Sequence, residues 1–133
     1  MADVAKSGVP SLSSVEPPQN DTLVGLLAGE AIAPGDTCYI KSDGTVWRTN
    51  GTAATAPALY AGVYLGSSNV AVGEALTLHQ NVVARYGSDL TPGARYYVSA
   101  TAGALSDAAT TGGTVPIAFA VSATRIKFLP VGR

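Results

Sequence analysis

The sequence predicts an all-β protein, a small barrel or sandwich built from two duplicated units and preceded by an extended N-terminal arm. Three observations support this prediction. Apolar residues alternate with polar residues over short runs, turn-forming dipeptides separate these runs, and segment 24–65 is repeated at 82–124. The many Thr, Val and Tyr residues suit strands, and no window has the 3.6-residue period of an amphipathic helix.

The duplication rests on turn formers and on apolar positions. An offset of 58 residues superimposes the first half of each unit, and one inserted residue, Ala102, raises the offset to 59 in the second half. Because Gly and Pro fix turns while apolar positions need only a suitable size, two similar backbones would preserve this pattern. The matched pairs are Val24 and Val82, Gly29 and Gly87, Ile32 and Leu90, Pro34-Gly35 and Pro92-Gly93, Tyr39 and Tyr97, Gly44 and Gly103, Val46 and Leu105, Thr52 and Thr111, Thr55 and Thr114, Pro57 and Pro116, and Tyr60 and Phe119.

Residues 1–22 are the predicted arm, because they have neither helical nor strand periodicity and their prolines favour extended backbone. An arm without its own fold needs apolar side chains to offset its ordering entropy when it docks on a neighbouring subunit. A free tail is the alternative. The expected docking residues are Val4, Val9, Pro10, Leu12, Val15, Pro17 and Pro18.

Residues 23–133 are the predicted β domain. In the first unit, Asp43-Gly44 between two alternating runs is a strong hairpin signal, and Pro34-Gly35 predicts another turn. The first unit is predicted to have strands at 23–27, 37–41, 45–48 and 58–65. The remaining strands are predicted at 75–79, 82–86, 94–99, 104–106, 115–121 and 125–129. Since each unit is marginal in size, we expect the two to share one core.

The composition indicates a protein of an assembly. Charged residues make up 13% of the 133 residues, about half the usual share, and the net charge is −1. A surface of small uncharged side chains favours extensive contact, although a secreted domain of low charge is an alternative. No basic patch is available for nucleic acid. The sequence has neither a signal sequence nor a long apolar run, so we do not expect insertion into a membrane. We expect synthesis in a cytoplasm.

The residues that could carry catalysis have simpler explanations. His79, the only histidine, would need an orienting carboxylate, for which Glu74 and Asp89 are candidates. Its place near a strand end favours a turn-flanking or interface role. Cys38, the only cysteine, is expected to face the core with Ile40 as an inert thiol. We therefore predict no enzyme and no catalytic, cofactor-binding or metal-binding residue.

The aromatic side chains leave a binding function open. Aromatic rings stack on sugars, so Trp47, Tyr60 and Tyr64 are candidates for a glycan site. Tyr60 matches Phe119 of the second unit, which favours core or interface packing. Trp47 differs because its matched residue is Ser106, and we expect it to mark an exposed contact.

The run LTPGARYYVSATAGALSD at residues 90–107 resembles a hairpin common in structural proteins of tailed bacteriophages. With the arm and the composition rich in Ala, Gly and Thr, residues 23–133 more loosely resemble the small capsid decoration, or cement, proteins. In that family, compact β domains sit as trimers on the outer capsid, and arms reach over neighbouring capsid subunits.

The resemblance implies a structural virion protein on the capsid exterior, made in the cytoplasm of the host bacterium. Its expected function is to stabilise the capsid by bridging subunits of the major capsid protein. Its expected partners are that protein and its own copies, in a homotrimer, with no nucleic acid, membrane or cofactor. The alternative is a phage fibre, tail or receptor-binding module that recognises a host surface glycan.

Overall fold

The computed structural model describes residues 3–12 and 21–130, and these residues form strands, one turn of 3-10 helix at Ala56–Ala58 and no α-helix. The all-β prediction is confirmed. The arm and the first unit contain β1 (Ser11–Leu12), β2 (Asp21–Ala28), β3 (Thr37–Ile40), β4 (Thr45–Arg48) and β5 (Gly62–Tyr64). The rest of the chain contains β6 (Ala75–Gln80), β7 (Val82–Arg85), β8 (Arg95–Val98), β9 (Leu105–Ser106), β10 (Ala118–Ala120) and β11 (Arg125–Phe128).

The first unit closes into a barrel together with β6, which lies beyond the predicted repeat at 24–65. The strand order is β2-β4-β3-β5-β6, and β6 pairs back onto β2. Strand β11 likewise lies just beyond the predicted repeat at 82–124 and is counted with the second unit. The contact between β2 and β4 is parallel, whereas the other contacts are antiparallel. Closure leaves these strands without a free edge at which another chain could pair.

The second unit forms a sheet with the order β1-β7-β11-β10-β8-β9. Without β1, this order repeats that of the barrel, with β7 in the place of β2, β11 of β6, β10 of β5, β8 of β3 and β9 of β4. The two units differ at one contact. In the first, β4 pairs with β2, while in the second β9 and β7 lie at opposite ends of the order, with β1 beyond β7. The second unit is therefore an opened version of the first.

The two hairpins have the same register. Tyr39 lies opposite Trp47 in β3 and β4, and the matched residues Tyr97 and Ser106 lie opposite each other in β8 and β9. The turns before the hairpins also agree, because each contains a glycine with positive φ, 89° at Gly35 and 84° at the matched Pro-Gly turn of the second unit. Glycine reaches this conformation without the steric penalty of a side chain, which is why it recurs at both turns.

The sequence match is wrong at the fourth strand of each unit, β5 and β10. Thr37 pairs with Val63 in the first unit, and the residue matched to Thr37, Arg95, pairs with Phe119 in the second. Phe119 therefore occupies the position of Val63 and not that of Tyr60. The connection from β9 to β10 is shorter than that from β4 to β5, where residues 56–58 form the 3-10 turn instead of the predicted start of a strand.

The buried apolar residues form two clusters, which corrects the expectation of one shared core. Strand β5 separates them, because successive side chains of a strand point to opposite faces. Val63 packs in the second cluster and Tyr64 in the first. The first cluster comprises Ala28, Ile32, Cys38, Val46, Tyr64, Val70, Leu76 and Leu78. The second comprises Tyr60, Val63, Val82, Ala84, Tyr86, Leu90, Tyr96, Val98, Leu105, Ile117, Ala118, Ala120, Ile126 and Phe128.

Main-chain hydrogen bonds join the two units. The amide of Thr37 donates to the carbonyl of Gly103 at 3.0 Å, and the amide of Gly103 donates to Thr49 at 2.9 Å. The amide of Gly51 donates to Ser99 at 2.8 Å. Because these bonds link backbone to backbone, they orient the two hairpins relative to each other independently of side-chain identity.

Candidate functional site

The arm, residues 3–12, lies between the two edge strands of the second unit. At one side, Asp3 forms a β-bridge with Ser106, and the amide of Val4 donates to the carbonyl of Leu105 at 3.0 Å. At the other side, the amide of Ser7 donates to the carbonyl of Tyr86 at 3.0 Å. Further along, β1 pairs antiparallel with β7. The arm thus spans the opening that distinguishes the second unit from the first.

The arm takes over a hydrogen bond that the first unit makes within its own barrel. There, the amide of Gly29 donates to the carbonyl of Val46 at 2.9 Å and fastens β2 to β4. The residue matched to Val46 is Leu105, whose carbonyl accepts from Val4 of the arm. The matched acceptor is therefore satisfied in both units, by the barrel itself in the first and by the arm in the second.

Trp47 and the matched Ser106 differ in size, and this difference coincides with the change of hydrogen-bond donor from the barrel to the arm. The indole of Trp47 lies on Gly29, so that a Cβ at Gly29 would have no room. At the matched glycine, Gly87, the arm occupies the corresponding space, and a Cβ would lie 2.7 Å from the carbonyl oxygen of Ala5. The large Trp47 thus covers Gly29 in the first unit. In the second unit, Ser106 is small and the arm covers Gly87 instead. Trp47 was predicted to mark an exposed contact; its side chain is half-buried, and a contact there stays a prediction.

Side chains attach the arm to both units. Lys6 Nζ lies 2.8 Å from Oδ1 of the buried Asp36, which belongs to the first unit. Asp36 also accepts from the amide of Ala33 at 2.8 Å, so the carboxylate has partners on both oxygens. Pro10 is buried against Gly35. A Cβ added to Gly35 would lie 2.7 Å from Cγ of Pro10. The arm therefore crosses the joint between the units and contacts each of them.

At its first described residue, the arm is held by a carboxylate. Ser99 Oγ donates a short hydrogen bond to Oδ1 of Asp3. Hydrogen bonds from Ser99 and Thr101 hold the pKa of Asp3 below its ordinary value of 3.8. A carboxyl whose folded pKa is lowered stabilises the fold above its unfolded pKa, and that contribution disappears as the pH falls through the folded pKa.

We therefore expect Asp3→Asn to lower the melting temperature at about pH 6, because the neutral amide replaces a charged acceptor. The difference in melting temperature between variant and wild type should become smaller as the pH falls below the ordinary pKa of 3.8, because the wild-type carboxyl then becomes protonated. Thermal unfolding followed by circular dichroism from about pH 6 to pH 2.5 measures this. Asp89→Asn, at an exposed position, is the control. A constant difference across the range would contradict the assigned role of Asp3.

The predicted docking residues of the arm differ in their surroundings: some are packed against the chain's own domain, and one is exposed. Val4 packs against the second core, and Pro10 is buried on Gly35. Val9 is 56% exposed, and Leu12 pairs with Ala84 in the ladder between β1 and β7. The other three predicted residues lie outside the described part of the chain, and they are Val15, Pro17 and Pro18.

A second feature of the surface is an apolar cleft of about 490 Å³ between the two units. At its rim, Ile40, Leu59 and Val115 are 41%, 70% and 49% exposed. The buried side chains of Val98 and Ile117 also line it, and none of its lining residues is charged. Large exposed apolar patches mark sites that bind proteins, membranes or ligands, and the cleft is a candidate for such a site.

Ile40 was expected to face the core with Cys38, and this expectation is wrong. Cys38 is fully buried, and burial raises the pKa of its thiol, which keeps it protonated. Ile40 is the last residue of β3 and lies at the cleft instead. The alternation continues to the end of the strand, but the core does not extend beneath its last residue.

The remaining candidates for chemistry have structural surroundings. His79 is half-buried in β6 opposite Val63, and burial lowers the pKa of its imidazole. Glu74 accepts from the amide of Ala71 at 2.6 Å within the turn before β6. In the described ranges, no three His, Cys, Asp or Glu side chains are grouped so that they could hold a metal ion. Nor does any helix there have the length and apolarity needed to cross a membrane.

The aromatic side chains considered for a glycan site present little open ring surface. Tyr60 and Tyr64 are each 8% exposed, and their hydroxyl groups donate to main-chain carbonyls at 3.2 and 2.8 Å. The ring of Trp47 lies under the ammonium group of Lys41, 4.1 Å from the ring centroid. A sugar would have to displace Lys41 to stack on that face.

Comparison of the chain with models of protein families, with curated proteins and with solved structures finds no match. The functional proposal consequently rests on two surfaces of the molecule and on the resemblance of residues 90–107. These surfaces are the arm seat, formed by β7, β9, Gly35 and Asp36, and the apolar cleft. Neither surface was predicted from the sequence. A signal for the seat was nevertheless present, because Gly29 is matched by Gly87 while the large Trp47 is matched by the small Ser106.

Proposed function

We propose that this chain is a structural protein of a bacteriophage virion, which binds the outer surface of the capsid and stabilises it by bridging subunits of the major capsid protein. The observation that carries the proposal is the uncharged cleft with Ile40, Leu59 and Val115 at its rim. The resemblance of the hairpin at 90–107 to structural proteins of tailed bacteriophages supplies the class of partner.

The cleft suits this function physically. Full burial of a side chain such as Leu59 contributes about 1.5–3 kcal/mol, and little charge has to be desolvated at an uncharged surface. A subunit that contacts two capsid proteins adds buried area across their joint and raises the barrier to its opening. Modest affinity per contact is sufficient, because several contacts made at once act through effective concentration.

The arm has a limited part in this proposal. Val4 and Pro10 are engaged by the chain's own domain, so the capsid contact is assigned to the cleft first. Direct contact of the arm with the capsid stays a prediction, for which Val9 is the exposed apolar side chain of the described arm. The proposal includes a homotrimer, for which light scattering should give the mass of three copies.

Sedimentation with capsid shells assembled without this chain tests the proposal. Leu59→Asp combined with Val115→Asp is expected to reduce the bound fraction at least about tenfold, because burying a carboxylate in an apolar contact is costly. The control is Val72→Asp, which changes a side chain that is 68% exposed and does not line the cleft. Equal binding of the double variant and this control would contradict the proposal.

A further inference from the structure

We infer that the opening between β7 and β9 is a strand-acceptor site that takes the N-terminal arm of a second copy of this chain, so that copies become linked by exchange of their arms. The first unit needs no such strand, because β4 pairs directly with β2. The second unit has the same strand order but leaves the matched strands apart, and residues 3–12 lie between them.

The contacts of the arm do not depend on which copy supplies it. The bonds from Val4 and Ser7 run to main-chain carbonyls, and the ladder between β1 and β7 is also made by backbone. The arm precedes β2 in the chain, and all of these acceptors belong to the second unit, so none is a sequence neighbour of the arm. An arm from another copy can make the same bonds, and the balance between the two arrangements depends on protein concentration and on the connection through residues 13–20.

The site has a recognisable preference among extended segments. It offers the Ser99 hydroxyl to a carboxylate at the position of Asp3, and the buried carboxylate of Asp36 to a cation at the position of Lys6. Close to these groups, Gly87 admits the backbone at Ala5. This combination fits the arm of the same protein better than an unrelated strand, which identifies the partner as a second copy.

An empty site would expose the edges of β7 and β9. Unpaired edge strands offer rows of main-chain donors and acceptors to other chains, and proteins usually cover them. A copy whose arm has left its seat is therefore expected to accept another arm. Recognition of a peptide strand by addition to a sheet edge works by the same physical means. This inference concerns copies of the chain in solution and does not require that the capsid proposal be correct.

Disulfide trapping between full-length chains tests the exchange. Ser11 and Arg85 lie directly opposite each other in the ladder between β1 and β7, a separation compatible with a disulfide. The doubly substituted chain, Ser11→Cys with Arg85→Cys, should form an intrachain disulfide. In a mixture of the two single variants, a disulfide between the two positions forms above the background of chance encounters when the arm of one copy occupies the seat of another. The native Cys38 is buried and does not compete.

The matched control is a mixture of Ser11→Cys with Ser67→Cys, in which the second position is exposed and away from the seat. At about millimolar concentration, we expect at least about ten times more heterodimer from the first mixture than from the control. Equal yields from the two mixtures would overturn the inference. Failure of the doubly substituted chain to form this disulfide at all, within one chain or between two, would also overturn it, because no arm would then occupy the seat in this register.

Discussion

Replacing Gly87 with valine is expected to release the arm and to lower the free energy of unfolding by about 2–4 kcal/mol. A Cβ at this position would lie 2.7 Å from the main-chain oxygen of Ala5, so that the arm has to move away. The loss then includes the bonds of Val4 and Ser7 and the burial of Val4 against the second core. Urea denaturation measures the stability change.

Proteolysis identifies the arm as the part that is lost. In the wild type, Lys6 is paired with Asp36, and release of the arm should speed tryptic cleavage after Lys6 by about tenfold or more. Ser88→Ala, at the exposed neighbouring residue, should change neither stability nor cleavage. A Gly87→Val chain that is destabilised but cleaved at the wild-type rate would show that the substitution acts elsewhere.

Phe128→Ala should be among the most destabilising truncations in the second core, with a loss of about 3–5 kcal/mol. The side chain is fully buried in β11, and its ring meets the edge of Tyr86 with the centroids 6.0 Å apart. Because the surrounding strands are tied to one another, the cavity left by the ring can collapse only in part. Equilibrium unfolding in urea measures this change.

The control for this prediction is the other phenylalanine, which lies on the adjacent strand. Phe119 is half-buried and covered on one face by the guanidinium of Arg95, 4.8 Å from the ring centroid. Its replacement with alanine should cost roughly 1 kcal/mol, because less area is removed from the interior. Similar losses at the two positions would contradict the assignment of Phe128 to the core and Phe119 to the surface.

The fold could be predicted from sequence because its local signals agree with its global pattern. Asp43-Gly44 and the two Pro-Gly turns determine where the strands reverse, and alternation indicates the strands between them. Tyr39 pairs with Trp47 and the matched Tyr97 with Ser106, although the inserted Ala102 makes the second turn one residue longer. Strands can be predicted from a sequence when local preferences and the overall fold agree in this way.

The arm seat could not be predicted, because its main determinants lie outside local patterns. Residues 3–12 pair largely through main-chain groups, so their sequence needs no alternation. Asp36 directly follows the predicted Pro34-Gly35 turn, and only its distance to Lys6 connects it with the arm. The fourth strand of each unit was also misaligned, since loop length changes the register without changing the apolar character of Tyr60 and Phe119.

The location of the apolar cleft was equally hidden in the sequence. Ile40 continues the alternation of a core strand, and Leu59 follows a proline-containing turn, so each looks like an ordinary buried residue. Their exposure results from how the two units meet, and that joint is formed by hydrogen bonds between distant loops. The cleft links the fold to the proposed function, and the arm links it to the proposed exchange between copies.

Amide hydrogen exchange at Val4 and Ser7 tests most directly the central claim that the arm is the closing strand of the second unit. Gly29 is the internal reference, because its amide makes the matched bond to Val46 in the closed barrel. We predict that all three amides exchange at least about 100 times more slowly than in an unstructured peptide. Protection of Gly29 together with free-peptide exchange rates at Val4 and Ser7 would contradict the claim.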